Sequence, residues 1–370
     1  MERLRWGVPT RPMTKLKYLL CWFMLTALAA ARPYKVAVVG LVHGHSWNHL
    51  KDLLSSDEAQ LVGLCETNSE LVDRAKTMGV APNLVYSEIP RMLDEVKPDI
   101  VWAFVENNRH LEVARDCASR GISIIYEKPL ASTYADAATI RDLARKSGIF
   151  VLTNYQMAWW PANTTAKQLV DAGTLGQVYR LHGIVGHGGP GSEGPSNHAF
   201  FEWLTDPVKN GAGALVDFGC YSAAWSLWYL GRPASVYART GNQQPERFPK
   251  VEDQAFLVLG YPHATALIEA SWDLPRAYQD LDLMSRTGVI HMQQSGVEVA
   301  MGKSHPKEVP LAKLPPELAS PLACMIHALE TKQAPDQGIV GLDLNVGVME
   351  IIDAAKESVR TGQVVTLPAR

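Results

Sequence analysis

The 370-residue sequence has little excess charge. Lys and Arg number 35 against 38 Asp and Glu, a net charge of -3. Neither nucleic acid nor an anionic membrane surface finds the basic surplus it needs. Cysteine is scarce, five in all and without a C-x-x-C pair. In a chain of this size burial alone stabilises the core, so a disulfide framework is not expected. No internal repeat or low-complexity tract occurs, which sets aside solenoids and disordered chains. The apolar run "YLLCWFMLTALAAA" (residues 18–31) is shorter than the roughly 20 residues of a spanning helix. A stable membrane anchor is therefore not expected.

What that run does have is a basic preface and small residues at its end. Arg3, Arg5, Arg11, Lys15 and Lys17 precede it, and "ALAAA" closes it, the order of a secretory signal peptide. Residues 1–32 are expected to be removed and the protein exported to the periplasm. The residue before Cys21 is Leu20 rather than a small residue, which argues against a lipoprotein. No Arg-Arg pair precedes the run, which argues against twin-arginine export.

From Tyr34 onward apolar runs alternate with amphipathic stretches. "KVAVVG", "QLVGLCE", "DIVWAFV", "ISIIYE" and "IFVLTN" read as buried strands joined by helical crossovers. That pattern predicts a doubly wound parallel sheet of Rossmann type over residues 33–153. After Asn154 the rhythm changes. "VYRLHGIVG", "ASVYART", "DQAFLVLGY", "TALIEASWD" and "GVIHMQQ" read as strands with no regular helices between them. Helical segments return only at the C-terminus. Residues 154–370 are thus expected to form an α+β substrate domain with a mostly antiparallel sheet, and the ligand cleft is expected between the two domains.

The first strand ends in "GLVHGH". A dinucleotide loop G-x-G-x-x-G would place its glycines at Gly40, Val42 and His45, with Gly44 here one place early. Alone the match is weak, and a plain structural turn is the bland alternative. Its context is better: a strand before, a helix-like stretch after, and Glu66 ending the second strand, where a carboxylate accepts from an adenosine ribose and repels a 2′-phosphate. NAD is therefore expected in preference to NADP. His43, His45 and His49 form H-x-H-x3-H, which invites a zinc reading. No Cys or carboxylate stands within a few residues to complete a tetrahedron, so no metal is expected and the rings are assigned to a cofactor cleft.

"EKPLA" (residues 127–131) puts Glu127 and Lys128 at the carboxyl end of a buried strand, where open α/β sheets bind ligands. Further on, "NGAGALVDFGCY" carries Asp217 and Tyr221, four apart and so on one face of a helix, among glycines that let backbone approach a ligand. A surface Glu-Lys pair and a buried Asp cap are the competing bland readings.

The pieces "VAVVG", "ENNRH", "EKPLA", "DAGTLGQVYRLHG" and "GAGALVDFGCY" resemble the Gfo/Idh/MocA oxidoreductase family over about residues 34–367. The resemblance implies that Lys128 touches both nicotinamide ribose and substrate, with Glu127 beside it on the cofactor. Asn107 and His110, from "ENNRH", fall on the cofactor side. Asp217 would orient a sugar, and Tyr221, where many members carry His, would be the general base. Substrate contacts are assigned to Asn154, Gln156, Trp160, His182, His187 and Asp217, with the tryptophans at 159, 160 and 203 offering faces for pyranose rings. A free phenol has a pKa of about 10, so the base role needs the Lys128 ammonium and the positive nicotinamide to lower it. Three departures from the family pattern stand out: Val42 for glycine, Glu106 for proline, and Gln156 for arginine.

The expected activity is hydride transfer between a nicotinamide cofactor and a sugar or related polyol. Two other readings remain: an NAD-dependent glycosidase or lyase that oxidises, eliminates and reduces back, and an exported sugar-binding protein without turnover. By family analogy the open sheet pairs between subunits, giving a homo-oligomer.

Overall fold

The computed structural model describes residues 2, 32–191, 193–336 and 338–368. By its contacts the chain divides into Met1–Pro33 and Tyr34–Arg370. Apart from Glu2 and Arg32, the expected leader lies outside the described residues.

The second unit begins with six strands: β1 (Tyr34–Val39), β2 (Ala59–Cys65), β3 (Val85–Tyr86), β4 (Ile100–Ala103), β5 (Ser123–Glu127) and β6 (Val151–Asn154). Between them run α1 (Ser46–Leu54), α2 (Ser69–Thr77), α3 (Ile89–Val96), α4 (His110–Ala118) and α5 (Tyr134–Ser147). All strand pairs are parallel, in the order β3-β2-β1-β4-β5-β6. The order reverses between β1 and β4, which opens a crevice at the strands' carboxyl ends. The apolar runs follow from this layering. Val36 to Val39 and Ile100 to Ala103 are buried on both faces, so no polar residue alternates with them. Helix starts are set locally. The Asn68 side chain accepts from the N–H groups of Glu70 and Leu71, and Thr133 accepts from that of Asp136.

Next come α6 (Pro161–Asp171), β7 (Arg180–Gly186), α7 (Pro195–Leu204), α8 (Ala214–Asp217) and α9 (Gly219–Leu230). The strands β8 (Ser235–Gly241), β9 (Gln254–Gly260), β10 (Thr265–Ser271), β11 (Tyr278–Met284), β12 (Gly288–Gln293), β13 (Gly296–Met301) and β14 (Lys307–Glu308) follow. The chain closes with α10 (Pro321–Thr331), α11 (Leu342–Thr361) and β15 (Val365–Thr366). The second sheet runs β14-β13-β12-β11-β7-β10-β9-β8-β15. Only β7 and β10 pair in parallel; the rest are antiparallel. In β9, Ala255, Leu257 and Leu259 are buried while Phe256 and Val258 are exposed, so one face is covered and the other open. No helix among the described residues is long and apolar enough to cross a membrane.

The expectation of no regular helices between the strands after Asn154 is wrong at α6 and α7, while the helix expected at Asp217 and Tyr221 is present as α8 and the longer α9. The extent of α9 was not readable, because Gly219 to Ser226 are buried without a break. A helix wrapped by core on all sides has no polar stripe, so the 3.6-residue period is absent from its sequence.

Candidate active site

The turn after β1 is built around Gly40, whose φ is 79°. A Cβ there would lie 2.6 Å from Val105 Cγ1 and 2.9 Å from Val105 N, so only glycine fits against β4. Beyond the turn a cleft of about 470 Å³ runs along the ends of β1, β2 and β4, lined among others by Val42, Glu66, Asn68, Glu106, Arg109 and Trp203. Glu66 faces it with its carboxylate largely satisfied. Oε2 accepts from Leu41 N–H at 2.8 Å, and Oε1 from the N–H groups of Thr67 and Asn68, both at 2.8 Å. The position, the glycine turn and the polar walls fit the adenosine end of a pyridine dinucleotide. Val42 takes part through its backbone, its carbonyl accepting the Trp203 indole N–H at 3.1 Å.

The loop histidines converge on Glu127, at the carboxyl end of β5. Its side chain is fully buried. His45 Nδ1 lies 3.0 Å from Oε2, His49 Nε2 lies 3.4 Å from Oε1, and Asn154 donates to Oε1 at 2.6 Å. His45 precedes α1 and His49 lies one turn along it, so both rings reach the same carboxylate. Burial works against the charge, but His45 and His49 outweigh it and hold the carboxyl well below the usual range. Gln156 reaches His45 Nε2 at 3.3 Å, and the Trp159 indole donates to Asn154 Oδ1 at 2.8 Å. The sequence reading found no carboxylate near these histidines; the fold brings one from 82 residues away. His43, His45 and Glu127 each offer a donor atom within 4.8 Å of the others. Two of these donors already bond each other, and His43 Nδ1 accepts the His45 N–H at 3.2 Å.

Lys128, joined to Pro129 by a cis bond, is buried among a second group of side chains. Its Nζ donates to Asp217 Oδ1 and to the Asp217 carbonyl at 3.0 Å. Asp217 Oδ2 accepts the Trp272 indole N–H at 2.9 Å. Both charges are within 5% of full burial. For Lys128 burial opposes the charge and Asp217 outweighs it, raising the pKa; for Asp217 burial is likewise outweighed by Lys128 and Trp272, lowering it. The position of Asp217 starts from Gly213, where a Cβ would sit 2.0 Å from the Glu252 carbonyl oxygen. The half-buried Glu252 carboxylate accepts from the N–H groups of Gly213 and Leu215 at 2.8 and 3.0 Å, fixing the start of α8. Asp217 ends α8 and Tyr221 lies in the first turn of α9. The expected single helix is thus interrupted at Phe218, yet both side chains face Lys128, whose Nζ is 5.1 Å from the Tyr221 ring centroid.

The electrostatics of Tyr221 correct the expectation. Burial raises the phenol pKa, and Lys128, its ammonium already shared with Asp217, lowers it less. In this arrangement the phenol keeps its proton at neutral pH. His187 faces the same pocket, edge-on to Phe218 with centroids 5.0 Å apart. Its Nδ1 accepts the Gly189 N–H at 3.0 Å, which leaves Nε2 to carry the proton.

Other assigned residues lie elsewhere. Asn107 is buried and donates to the side chain of Asn210 at 2.8 Å, tying "ENNRH" to "NGAG". His110 donates from Nδ1 to the Leu130 carbonyl at 3.1 Å and stacks on Tyr126; burial lowers its pKa to about 4. Both brace loops rather than line the cleft. His182 sits on the open face of the second sheet, between Leu267 and Asp282. The neighbouring Gly183 is the residue that faces α9, against Ser222, and strand alternation turns His182 away from the site. Trp160 is buried in the apolar core, and Trp203 covers the dinucleotide loop instead of a sugar. Trp272 is absent from the sequence expectations, and nothing local marks it; His49, expected in the cofactor cleft with the other loop rings, lies against Glu127.

A parallel sheet with a glycine turn at its switch point, joined to an open antiparallel sheet that carries the lysine's partner, defines a nicotinamide-dependent oxidoreductase scaffold. Residues 34–155 match the family described as oxidoreductase, NAD-binding Rossmann fold, and residues 163–293 match the GFO/IDH/MocA C-terminal domain. The chain belongs to the Gfo/Idh/MocA oxidoreductase family. It is 26% identical to a D-xylose 1-dehydrogenase (NADP(+)) of Haloferax volcanii, over 80% of this chain and 90% of that one. It is 26% identical to the D-glucoside 3-dehydrogenase of Escherichia coli over 55% of each chain, so it spans about half the length of that relative. The fold matches an aldose-aldose oxidoreductase of Caulobacter crescentus with a TM-score of 0.77 at 22% identity, covering 91% of this chain and all of that one.

Proposed function

We propose that the protein transfers hydride between NAD and a hydroxyl-bearing carbon of a sugar or related polyol. The observation that carries this is the buried Lys128–Asp217 pair with Tyr221 beside it, at the end of the strand next to the dinucleotide crevice. A buried ammonium that already donates to the Asp217 carboxylate and carbonyl still has one N–H free for a substrate oxygen, and it stabilises the negative charge that grows there. Tyr221, protonated at neutral pH, gives its proton to that oxygen when a carbonyl is reduced and must take one when a hydroxyl is oxidised. The bound nicotinamide supplies the hydride chemistry itself.

NAD over NADP is supported by the cleft walls. Arg109 pairs with Glu112 at 2.9 Å and lies 3.6 Å from Glu106, while Lys209 lies 3.7 Å from Glu106. Both cations lining the cleft are thus engaged by carboxylates, and Glu66 and Glu88 add further negative charge. A 2′-phosphate finds no unshared cation among these described residues.

The test is to incubate purified protein with NAD and a panel of aldoses and glucosides, following NADH absorbance and released glycan together. Accumulating NADH supports the dehydrogenase. Glycan release without net NADH shifts the reading to the closed oxidation–elimination cycle, and no change with any sugar sinks both. Export and self-association remain part of the proposal. N-terminal sequencing from the native host checks the leader, and light scattering checks whether the open sheet face, with Phe256 and Val258 exposed, pairs two copies.

A further inference from the structure

We infer that α7, a helix of the second sheet region, is a wall of the dinucleotide site and holds the bound cofactor against exchange. The inference rests on the dinucleotide reading of the cleft. Ala199, Glu202 and Trp203 of α7 line that cleft opposite Gly40 and Glu66. Trp203 is 2% exposed and donates its indole N–H to the Val42 carbonyl at 3.1 Å. His43 lies beneath two α7 rings, its centroid 5.3 Å from Phe200 and 5.8 Å from Trp203. Phe200 also covers Gly44, where a Cβ would be 3.7 Å from its ring. The contacts fall on three consecutive residues of the loop: the Val42 carbonyl, the His43 ring and the backbone of Gly44, so α7 packs along the loop itself.

The ends of α7 are held differently. Just past its C-terminus, Asn108 N–H donates to the Lys209 carbonyl at 3.1 Å and Asn107 bonds Asn210, fastening that end to the loop after β4. On the approach to its N-terminus Arg247 donates to the Gly188 and Pro190 carbonyls at 2.8 and 2.6 Å, so that side is tied by a side chain. A dinucleotide lying along the loop cannot leave the cleft sideways without breaking the Trp203–Val42 bond and lifting two aromatic rings off His43. Release is therefore gated by α7.

The test loads the full-length protein with NADH and measures release by stopped-flow fluorescence on mixing with excess NAD. It also measures how much dinucleotide survives gel filtration. Trp203→Ala should speed release by about tenfold or more, since both a hydrogen bond and ring packing are lost. Trp203→Phe keeps a ring and should fall between the two, and it serves where the alanine variant fails to fold. Release at the wild-type rate from Trp203→Phe and Phe200→Ala alike overturns the inference, as does a wild-type protein that binds no dinucleotide. No sugar is needed, so failure to find a substrate leaves this result standing on its own.

Discussion

The dinucleotide cleft and the Lys128 pocket open on the same sheet edge but are made of different material. In the cleft the chain works through its backbone. Glu66 is held by three N–H groups, Val42 takes part through its carbonyl, and Gly40 is needed because its φ is positive and Phe104 and Val105, just past β4, leave no room for a side chain. Around Lys128 the links run mainly through side chains, from Lys128 to Asp217 to Trp272. A backbone-built site tolerates a changed side chain as long as the path of the chain is kept, so valine can stand where a family loop has glycine. A site built from buried charges does not, because each change strands a charge in low dielectric. The comparison sharpens into predictions of unequal size.

The largest effect belongs to Lys128→Met. It removes the ammonium that stabilises the reacting oxygen and leaves Asp217 buried without its cation. Turnover should fall below detection. Breaking a buried pair on one side costs about 3–5 kcal/mol, so thermal unfolding should move down as well. The double variant Lys128→Met/Asp217→Asn should regain much of the unfolding temperature, since no charge is left stranded, but no activity. Recovery of turnover along with stability would show the pair to be structural only. In the wild type, Asp217 is depressed and Lys128 raised. The pair's stabilisation is therefore full from above the ordinary Asp value of 3.8 up to the ordinary Lys value of 10.5, and is lost only outside that window.

Tyr221→Phe comes next, at roughly 10²–10⁴-fold in kcat, the span of a lost acid–base group. The sign of the pH dependence is the sharper readout. Burial raises the phenol, so sugar oxidation, which needs a proton acceptor, should climb with pH from 7 to at least 10. Carbonyl reduction, which needs a donor, should stay level over the same range. The phenylalanine variant should lose the climb. A wild-type oxidation profile already flat at pH 7 moves the role to another group, with His187 the first to examine.

Much of this was legible before any coordinates. The strands of the parallel sheet announced themselves because burial on both faces leaves uninterrupted apolar runs. "EKP" and Asp217–Tyr221 were readable because ionisable residues at a strand end and a glycine-rich helix entry are costly without a purpose. Three kinds of fact were not. The extent of α9 beyond Tyr221 hid because full burial erases periodicity. Trp272 hid because its indole reaches Asp217 from 55 residues away. The burial of Tyr221 hid as well, since proximity to a lysine says nothing of whether that lysine's charge is already shared. Asn107 and His110 bond to Asn210 and Leu130, contacts the sequence did not show, because it tells which loop a residue occupies and not which way it turns.

The smallest effect should come from Glu66→Gln. Sequence alone makes Glu66 the arbiter between NAD and NADP. In the structure its carboxylate accepts three backbone N–H groups, which spread its charge into the loop after β1 and the start of α2. On the proposed preference for NAD, what would repel a 2′-phosphate is then the whole wall, with Glu88, Glu106 and Glu112 lining the same cleft and Arg109 engaged by the last two. Neutralising one member should narrow the preference for NAD by about threefold to tenfold, the scale of one weakened charge-assisted hydrogen bond, and leave NAD preferred. Calorimetric titration of both dinucleotides into wild type and variant decides it. A hundredfold reversal toward NADP would return the whole discrimination to Glu66 and make this half of the site as dependent on a single side chain as the Lys128 pocket.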